Sequence, residues 1–580
     1  MKVLAFVCTV VVLFTLLTPS DGLRKRTSWL SLLKGVKDGE NGGTPCFACS
    51  VLLGLVDQLT EIYNQSVADA LAMFCDFLPK EGFRDACIAL VEEFGPAIVV
   101  LFAEDYTSDM VCHAIEICTN TTGEYCHLYP VRKSVHPLEI QVMFAKKIAL
   151  SVRGRHFQFP DLCNISAVKP ICEIIDRFAD NNLPIEDLDD DFYSRVTTLR
   201  GASWRGKDCD DLSAHDHAGK ITNNDAFFDS NCNGIFGYDV KTGKSYEELY
   251  CDGTGQMGII GLGDSFTAHF RIPQEWATAA DLNEPILKDL PFALENEFDW
   301  PMLSTTTGYK NSTWDVIQGP VDSFYLRLRE LNRCNHRDYQ NIGVNGDDSF
   351  EMSQNTMYTI ARNKSTDHPV FISLALLGND VCHAEHDTEH MTTPEDFYAN
   401  QLKILQYLDN TVPKGSVVLA IGLIDGRILY ETMHNRIHPL GAWRNDVTYT
   451  EFYDFFNCVY ISPCFGWLNS QEIWRNRTAV RAKELSDALH AVVANNTFTN
   501  IKVHYIDFPL TTVIKRWESM GGQDWQLIQP VDGFHPSQEA VALFTDILWE
   551  QLKSEVPDFI PPVNPHNEEI IKRFKDQGGY

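Results

Sequence analysis

Ser265, Asp532 and His535 of this 580-residue sequence are residue types suited to acyl transfer. Ser265 closes the stretch GIIGLGDSF, where the apolar run Ile259, Ile260, Leu262 stops at Gly263-Asp264. Gly-Asp-Ser is also ordinary turn vocabulary. A serine hydroxyl is a weak nucleophile alone; it needs a base, and the base needs an orienting group. PVDGFHPS places Asp532 three residues before His535. On one turn that spacing can hold a carboxylate against imidazole Nδ1–H and leave Nε2 for Ser265. A developing oxyanion needs donors. The backbone N–H of Ser265, the backbone N–H of Gly346 in NIGVNGDDS and the side-chain amide of Asn379 in GND are available.

These residues need elements to hold them. From residue 255 onward, short apolar runs (MGIIGLGD, VFISLALLGND, GSVVLAIGLID, IKVHYIDFP) alternate with helical stretches such as PEDFYANQLKILQYLDN. That alternation predicts a three-layer α/β fold with a mainly parallel sheet, and sites in such sheets gather beyond the carboxyl ends of the strands. The segments GDS, NIGVNGDDS, GND and DGFH follow the order of the four blocks of the GDSL, or SGNH, hydrolases, which residues 251–570 resemble. The resemblance implies Ser265 as nucleophile, His535 as base, Asp532 completing the triad, and Ser265, Gly346 and Asn379 as the oxyanion hole. Phe266 stands where the family name has Leu, a packing position.

Residues 181–250 are acidic in an ordered way. EDLDDDFYS sets Asp187, Asp189 and Asp191 at alternate positions before Tyr193, and DSNCNGIFGYD does the same with Asp229, Asn231 and Asn233 before Ile235 and Asp239. Oxygen side chains thus fill loop positions 1, 3 and 5, position 7 offers a carbonyl, and Gly234 occupies position 6 of the second loop. Neither loop has Glu at position 12, so Asp208, Asp210 and Asp211 of DCDDLSAHD are expected to supply the missing charge. Calcium, in a rigidifying role, is the expected cofactor. The histidines His383, His386 and His390 of CHAEHDTEHM have metal-like spacing but read as a polar, acidic loop, and His434 and His438 of HNRIHPLG have no assigned task.

The chain begins with one Lys and an apolar run, the order of a secretory signal peptide over 1–22, followed by an expected pro-segment over 23–41. Cys46-x2-Cys49, Cys75, Cys87 and Cys112-x5-Cys118 punctuate helical patterns in which Leu52, Leu55, Val56, Leu59, Ile62 and Tyr63 recur at three- and four-residue steps. Cys-x2-Cys could mark zinc, but no second pair completes a site. The six-Cys spacing over 42–124 resembles the saposin family, which implies a small helical bundle for lipid contact and the nested pairs Cys46–Cys118, Cys49–Cys112 and Cys75–Cys87. Residues 125–180 read as a helical linker whose RGRHFQFP, with Arg153 and Arg155, suits a protease-sensitive loop. Cys126 would then tie a small subunit to a large one, with Cys458 or Cys464 as partner.

Of 17 Cys, Cys8 lies in the leader and an even 16 remain, as in a secreted chain. Seven sequons, at Asn64, Asn120, Asn164, Asn311, Asn363, Asn476 and Asn495, are open to glycosylation. The net charge of -31 argues against nucleic acid as a partner and opposes unaided docking on anionic lipid. After the leader the sequence reads as having no transmembrane anchor, leaving peripheral contact with a lipid surface.

A saposin-like segment, a calcium segment and an SGNH domain in one chain resemble the acyloxyacyl hydrolase family over essentially the full length, down to TLRGASWRGKDC, CNHRDYQNI and the terminal DQGGY. The resemblance implies a secreted enzyme acting on lipopolysaccharide, removing the secondary acyl chains of lipid A. Arg475, Arg477 and Arg481 of WRNRTAVRAKEL are conceivable contacts for a phosphorylated headgroup, but a solvated helix face is the stronger reading. A broad phospholipase or lysophospholipase of the same fold, or a saposin-type lipid-binding protein with a silent hydrolase domain, are the competing expectations.

Overall fold

A computed structural model describes residues 39–80, 82–130, 136–153, 186–196, 204–222, 225–309 and 317–579. The leader, most of the expected pro-segment, the loop around Arg155 and the sequons at Asn164 and Asn311 lie outside the described residues. Of the other sequons, Asn64, Asn120, Asn363 and Asn495 are exposed and Asn476 is half-buried.

The catalytic half is built on five strands: β1 (Gly258–Gly263), β2 (Tyr339–Gly343), β3 (Val370–Ala375), β4 (Ser416–Ile421) and β5 (Ile501–Ile506). They pair in parallel in the order β2-β1-β3-β4-β5. Successive side chains on a strand point to opposite faces. Ile260, Leu262, Ile372, Leu374 and Val418 therefore meet Ile404, Leu405 and Leu408 of α6 (Pro394–Thr411) and Val492 of α8 (Glu472–Asn495). Ile259, Phe371, Val417 and Leu419 join the opposite core with Phe544 and Trp549 of α10 (Gln538–Glu555). Burial on both faces is why β1, β3 and β4 read as unbroken apolar runs. The chain steps from β1 outward to β2 and then back to β3 on the other side, opening a crevice beyond the carboxyl ends of β1 and β3.

β2 was not among the expected strands. Its sequence, YQNIG, buries two amides that find partners far along the chain. Gln340 donates to Ala361 O (2.6 Å) and accepts from Arg205 (3.0 Å), while Asn341 donates to Thr267 O (2.8 Å). The outer edge of β2 is covered by residues 204–206 of the acidic segment, through Gly206 N–H to Tyr339 O and Asn341 N–H to Trp204 O. An open strand edge is thereby closed to other chains.

The N-terminal half is a disulfide-tied bundle of α1 (Gly43–Tyr63), α2 (Val67–Phe77), α3 (Phe83–Ala103) and α4 (Ser108–Ala114). Its bridges join Cys46 to Cys118, Cys49 to Cys112 and Cys75 to Cys87, the nested order expected from the saposin resemblance. The helix of the expected linker, α5 (Leu138–Arg153), packs on α3 and α4 and so extends the bundle. Buried Asp109 of α4 accepts the N–H groups of Leu128 (3.0 Å) and Tyr129 (2.9 Å) from the stretch between α4 and α5, and burial pushes its carboxyl up to about 6. Tyr129 then lies across Gly54, where an added Cβ would sit 1.8 Å from the phenol oxygen. Only glycine fits that crossing.

By length and composition α1 and α3 could each span a membrane. Here α1 is spent on the other half of the molecule. Phe47 stacks on Phe456 at 4.7 Å and meets Phe452 edge-on at 6.0 Å, both in α7 (Tyr449–Cys458). Arg444 pairs with Asp57 (2.7 Å) and Glu61 (2.6 Å) of α1, and Cys126 is bonded to Cys458. α3 instead keeps Ile88 exposed and Val91, Val99 and Val100 half-buried. Removing the Phe47 ring would leave a cavity between the halves; Phe47→Ala is expected to cost about 3–5 kcal/mol, read as a lower denaturant midpoint.

Candidate active site

Asp264 follows β1 and caps the single helical turn Ser265–Ala268, accepting the N–H of Phe266 at 3.0 Å. Ser265, at the first position of that turn, is half-buried at the crevice. Its Oγ lies 2.8 Å from His535 Nε2, and His535 Nδ1 lies 2.7 Å from Asp532 Oδ2. The second oxygen of Asp532 accepts the N–H groups of Phe534 (2.8 Å) and His535 (3.1 Å), so the carboxylate cannot swing away from the imidazole. With Asp532 as acceptor, the His535 proton sits on Nδ1 and Nε2 is left to take the serine proton.

The other face of the crevice comes from the loops after β2 and β3. Gly346 adopts φ +77°, a left-handed turn that suits glycine. Asn379 donates to Asp347 O at 2.9 Å, which fixes its amide; both Gly346 and Asn379 are half-buried, and Asn379 lines the crevice. Ser265 opens into an apolar cleft walled by Ile424, Ile428, Trp467, Phe508, Ile514 and Phe544. Every residue lining it belongs to the hydrolase half. Among the described residues, the helical bundle contributes none of this wall.

Two family models match the chain: the saposin-like domain over residues 45–173 and the GDSL-like lipase/acylhydrolase over residues 259–548. Whole-chain relatives are acyloxyacyl hydrolases. That of Oryctolagus cuniculus is 42% identical over 542 residues, covering 92% of this chain and 93% of the relative. That of Homo sapiens is 40% identical over 546 residues (93% and 94%), and that of Mus musculus 40% over 551 residues (94% and 95%). The chain belongs to the acyloxyacyl hydrolase family. It is an ester-hydrolysing enzyme with a saposin-like N-terminal region.

Beside the hydrolase core of this acyloxyacyl hydrolase relative, the acidic segment brings its carboxylates together. Asp187, Asp189 and Asp211 each offer an oxygen within 4.8 Å of the others. Both oxygens of Asp189, one of Asp191 and one of Asp208 are buried with no hydrogen-bond partner. Burial, with the neighbouring carboxylates adding to it, pushes Asp191 up to about 7 and Asp208 to about 6. Asp210 is exposed beside them. Tyr193 buries its ring and donates its hydroxyl to Ala361 O, leaving only its backbone carbonyl as a ligand. Cys209 and Cys232, next to Asp208, are bonded to each other and hold the two loops together.

In the second loop the oxygen at position 1, Asp229 Oδ1, is likewise buried and unpartnered. Asn231 and Asn233 turn their amides onto the two oxygens of Glu247 at 3.1 and 2.9 Å. Glu247, in the short helix Tyr246–Tyr250, was not anticipated. Both of its oxygens face the loop through those two amides, and burial raises its carboxyl to about 8. Asp239 does not join them; it is exposed and bonded to Thr242. The donor sets are all oxygen, as a hard cation requires. The C-terminal DQGGY locks this loop, since Gln577 donates to Asn233 O at 2.7 Å and Arg337 reaches the carbonyls of Gly578 and Gly579.

The remaining expectations fall on structural contacts. Arg475 is buried, lies over the Tyr430 ring and donates to Asn469 O at 2.7 Å, so no headgroup can reach it. Arg477 lies over Trp474, and Arg481 pairs with Glu484. His383, Asp387 and His390 come within metal-ligating range of one another, with His390 paired to Asp387 at 2.9 Å, while His386 is stacked between Tyr460 and Phe465. Cys464 bonds Cys382, which leaves Cys458 for Cys126. Gln529 was missed: its side-chain oxygen accepts the N–H groups of Val531 and Asp532, both at 2.8 Å, and its own N–H donates to His535 O at 2.7 Å. No signal in a single sequence marks such a residue.

Asp532→Asn would preserve shape but reverse the hydrogen-bond polarity at Nδ1. It is expected to lower kcat by about 10³–10⁴-fold with the fold intact by circular dichroism.

Proposed function

We propose that this protein is a secreted esterase that hydrolyses the secondary, acyloxyacyl-linked fatty chains of lipid A in bacterial lipopolysaccharide. Ser265 attacks the ester carbonyl while His535 takes its proton, and Asp532 stabilises the imidazolium that forms. The tetrahedral oxyanion is held by the N–H groups of Ser265 and Gly346 and by the Asn379 amide. His535 then returns the proton to the leaving hydroxyl, and water releases the fatty acid from the acyl-enzyme. The observation that carries this reading is the Ser265–His535–Asp532 relay at the mouth of an apolar cleft, in a chain whose relatives are named for acyloxyacyl hydrolysis. The cleft suits the acyl tail of an ester whose carbonyl rests at Ser265. The cysteine pairing and the leader-like first 22 residues support secretion. Cleavage near Arg155 would leave small and large subunits linked by Cys126–Cys458.

Calcium belongs to the same reading. Asp187, Asp189, Asp191, Asp208 and Asp211 would hold one ion, and Asp229, Asn231, Asn233, the Ile235 carbonyl and Glu247 another. The unpartnered buried oxygens of Asp189, Asp191, Asp208 and Asp229 support it. The ions would be structural, since the segment they neutralise braces the β2 edge rather than facing Ser265.

Incubation with lipopolysaccharide and, separately, phosphatidylcholine tests the substrate. Release of non-hydroxylated secondary chains with retention of primary 3-hydroxy chains, lost in Ser265→Ala, is expected by mass spectrometry. Release from phosphatidylcholine alone would make the protein a phospholipase. For calcium, Glu247→Gln should lower the bound stoichiometry by one ion. The raised carboxylates bind more protons in the metal-free fold than in the unfolded chain, so metal-free stability falls as pH rises from about 4 to 8. Chelation should therefore lower the thermal midpoint more at pH 8 than at pH 5.

A further inference from the structure

The loop from Gln529 to His535 carries two of the three triad residues, and three of its backbone carbonyls are held from one side. Tyr449 donates its hydroxyl to Pro530 O, His438 donates to Val531 O at 2.8 Å, and Tyr453 donates to Gly533 O at 2.8 Å. These carbonyls bracket Asp532 and stand two residues or fewer from it. All three donors are buried, with His438 and Tyr453 at 0% exposure. They come from one stretch, the turn at His438 and the first turns of α7.

That same stretch receives the helical bundle. Gln58 of α1, buried, donates to Leu440 O at 2.7 Å, and Leu440 N–H donates to His438 Nδ1 at 3.1 Å. His438 stacks on Phe452 at 3.8 Å, and Phe452 contacts Phe47 of α1. The two bonds to His438 fix its tautomer: Nδ1 accepts and Nε2–H donates. Burial holds the ring neutral, which keeps that polarity constant. A continuous hydrogen-bonded chain therefore runs from Gln58 through Leu440 and His438 to Val531, the residue before Asp532.

We infer that the docked saposin-like bundle is a working part of the esterase centre, with His438, Tyr449 and Tyr453 as positioning residues that carry its docking to the loop of Asp532 and His535. The inference rests on the assignment of Ser265, His535 and Asp532 as the triad. It assigns the bundle a role that involves no lipid contact: α1 lends its buried face to the part of the hydrolase that holds the imidazole against Ser265. Proton transfer is sensitive to that placement, a misplacement of about 1 Å costing up to ~100-fold.

The test uses the full-length, disulfide-bonded protein with calcium and a soluble short-chain p-nitrophenyl ester, which needs no extraction from a lipid surface. His438→Leu, Tyr453→Phe and Gln58→Leu are compared with wild type well below their thermal midpoints. The expected result is a fall in kcat of about tenfold for His438→Leu with KM unchanged, and smaller falls of the same kind for Tyr453→Phe and Gln58→Leu. His438→Gln keeps a donor for Val531 and should recover most of the loss. Should His438→Leu not fold, Tyr453→Phe, which deletes one hydroxyl, carries the test. Folded variants with kcat within about twofold of wild type would overturn the inference. If Ser265→Ala hydrolyses the ester as wild type does, it is the triad assignment that falls instead.

Discussion

The carboxylate of Asp264 ties the site together. One oxygen caps the turn that presents Ser265, and the other accepts the N–H groups of Leu377 (2.7 Å) and Gly378 (3.4 Å) at the end of β3. The nucleophile after β1 and the loop that carries Asn379 are thereby locked at one relative position. Burial raises the Asp264 carboxyl, while the N–H donors from both strand ends oppose that rise. The crevice between β1 and β3 is a consequence of strand order; its exact spacing is a consequence of this one acid. Loss of it would leave the bond from Asp264 N–H to Ala375 O (3.4 Å) to hold the two strand ends together there.

Around that lock the molecule solves a problem of surplus. A parallel sheet leaves polar edges, and a small disulfide bundle leaves apolar faces larger than it can bury alone. The edge of β2 is covered by residues 204–206, held by Cys209–Cys232 and by Arg205 on Gln340. The apolar face of α1 is covered by α7, with Gln58 and the Arg444 ion pairs setting the register. Each surplus is used to brace a part that carries function. The acidic segment props the strand that leads to Gly346, and the bundle props the segment beneath Asp532 and His535.

How much of this can be read in the sequence follows from where the determinants lie. The runs of β1, β3 and β4 are legible because burial on both faces demands uninterrupted apolar residues. Ser265, Asp532 and His535 are legible because their chemistry fixes both type and local spacing. β2 is not, because Gln340 and Asn341 look like loop residues until Ala361, Arg205 and Thr267 are seen to satisfy them. Glu247 escaped for a related reason: an acid that meets Asn231 and Asn233 from 18 positions after Asp229 lies outside the 12-residue frame by which such loops are recognised. Cys458 and Cys464 were equal partners for Cys126 until Cys382 was found against Cys464. In each case the missing information is a long-range pairing, which local pattern cannot encode.

The division of labour between the halves follows from the same pairings. Among the described residues the wall of the cleft is made by the hydrolase half, from Phe266 of the nucleophile turn to Ile514 of α9 (Leu510–Ser519) and Phe544 of α10. The bundle faces two ways instead: α1 inward on α7, and α3 outward with Ile88 exposed and three valines half-buried. The helix turned to solvent and the helix turned to the catalytic half belong to one bundle, in which Cys75–Cys87 ties α2 to α3. The negative charge of the chain, -31 overall, opposes an anionic lipid surface. Apolar area open to solvent on the bundle lies on α3 at Ile88 and on α5 at Met143, Phe144 and Val152.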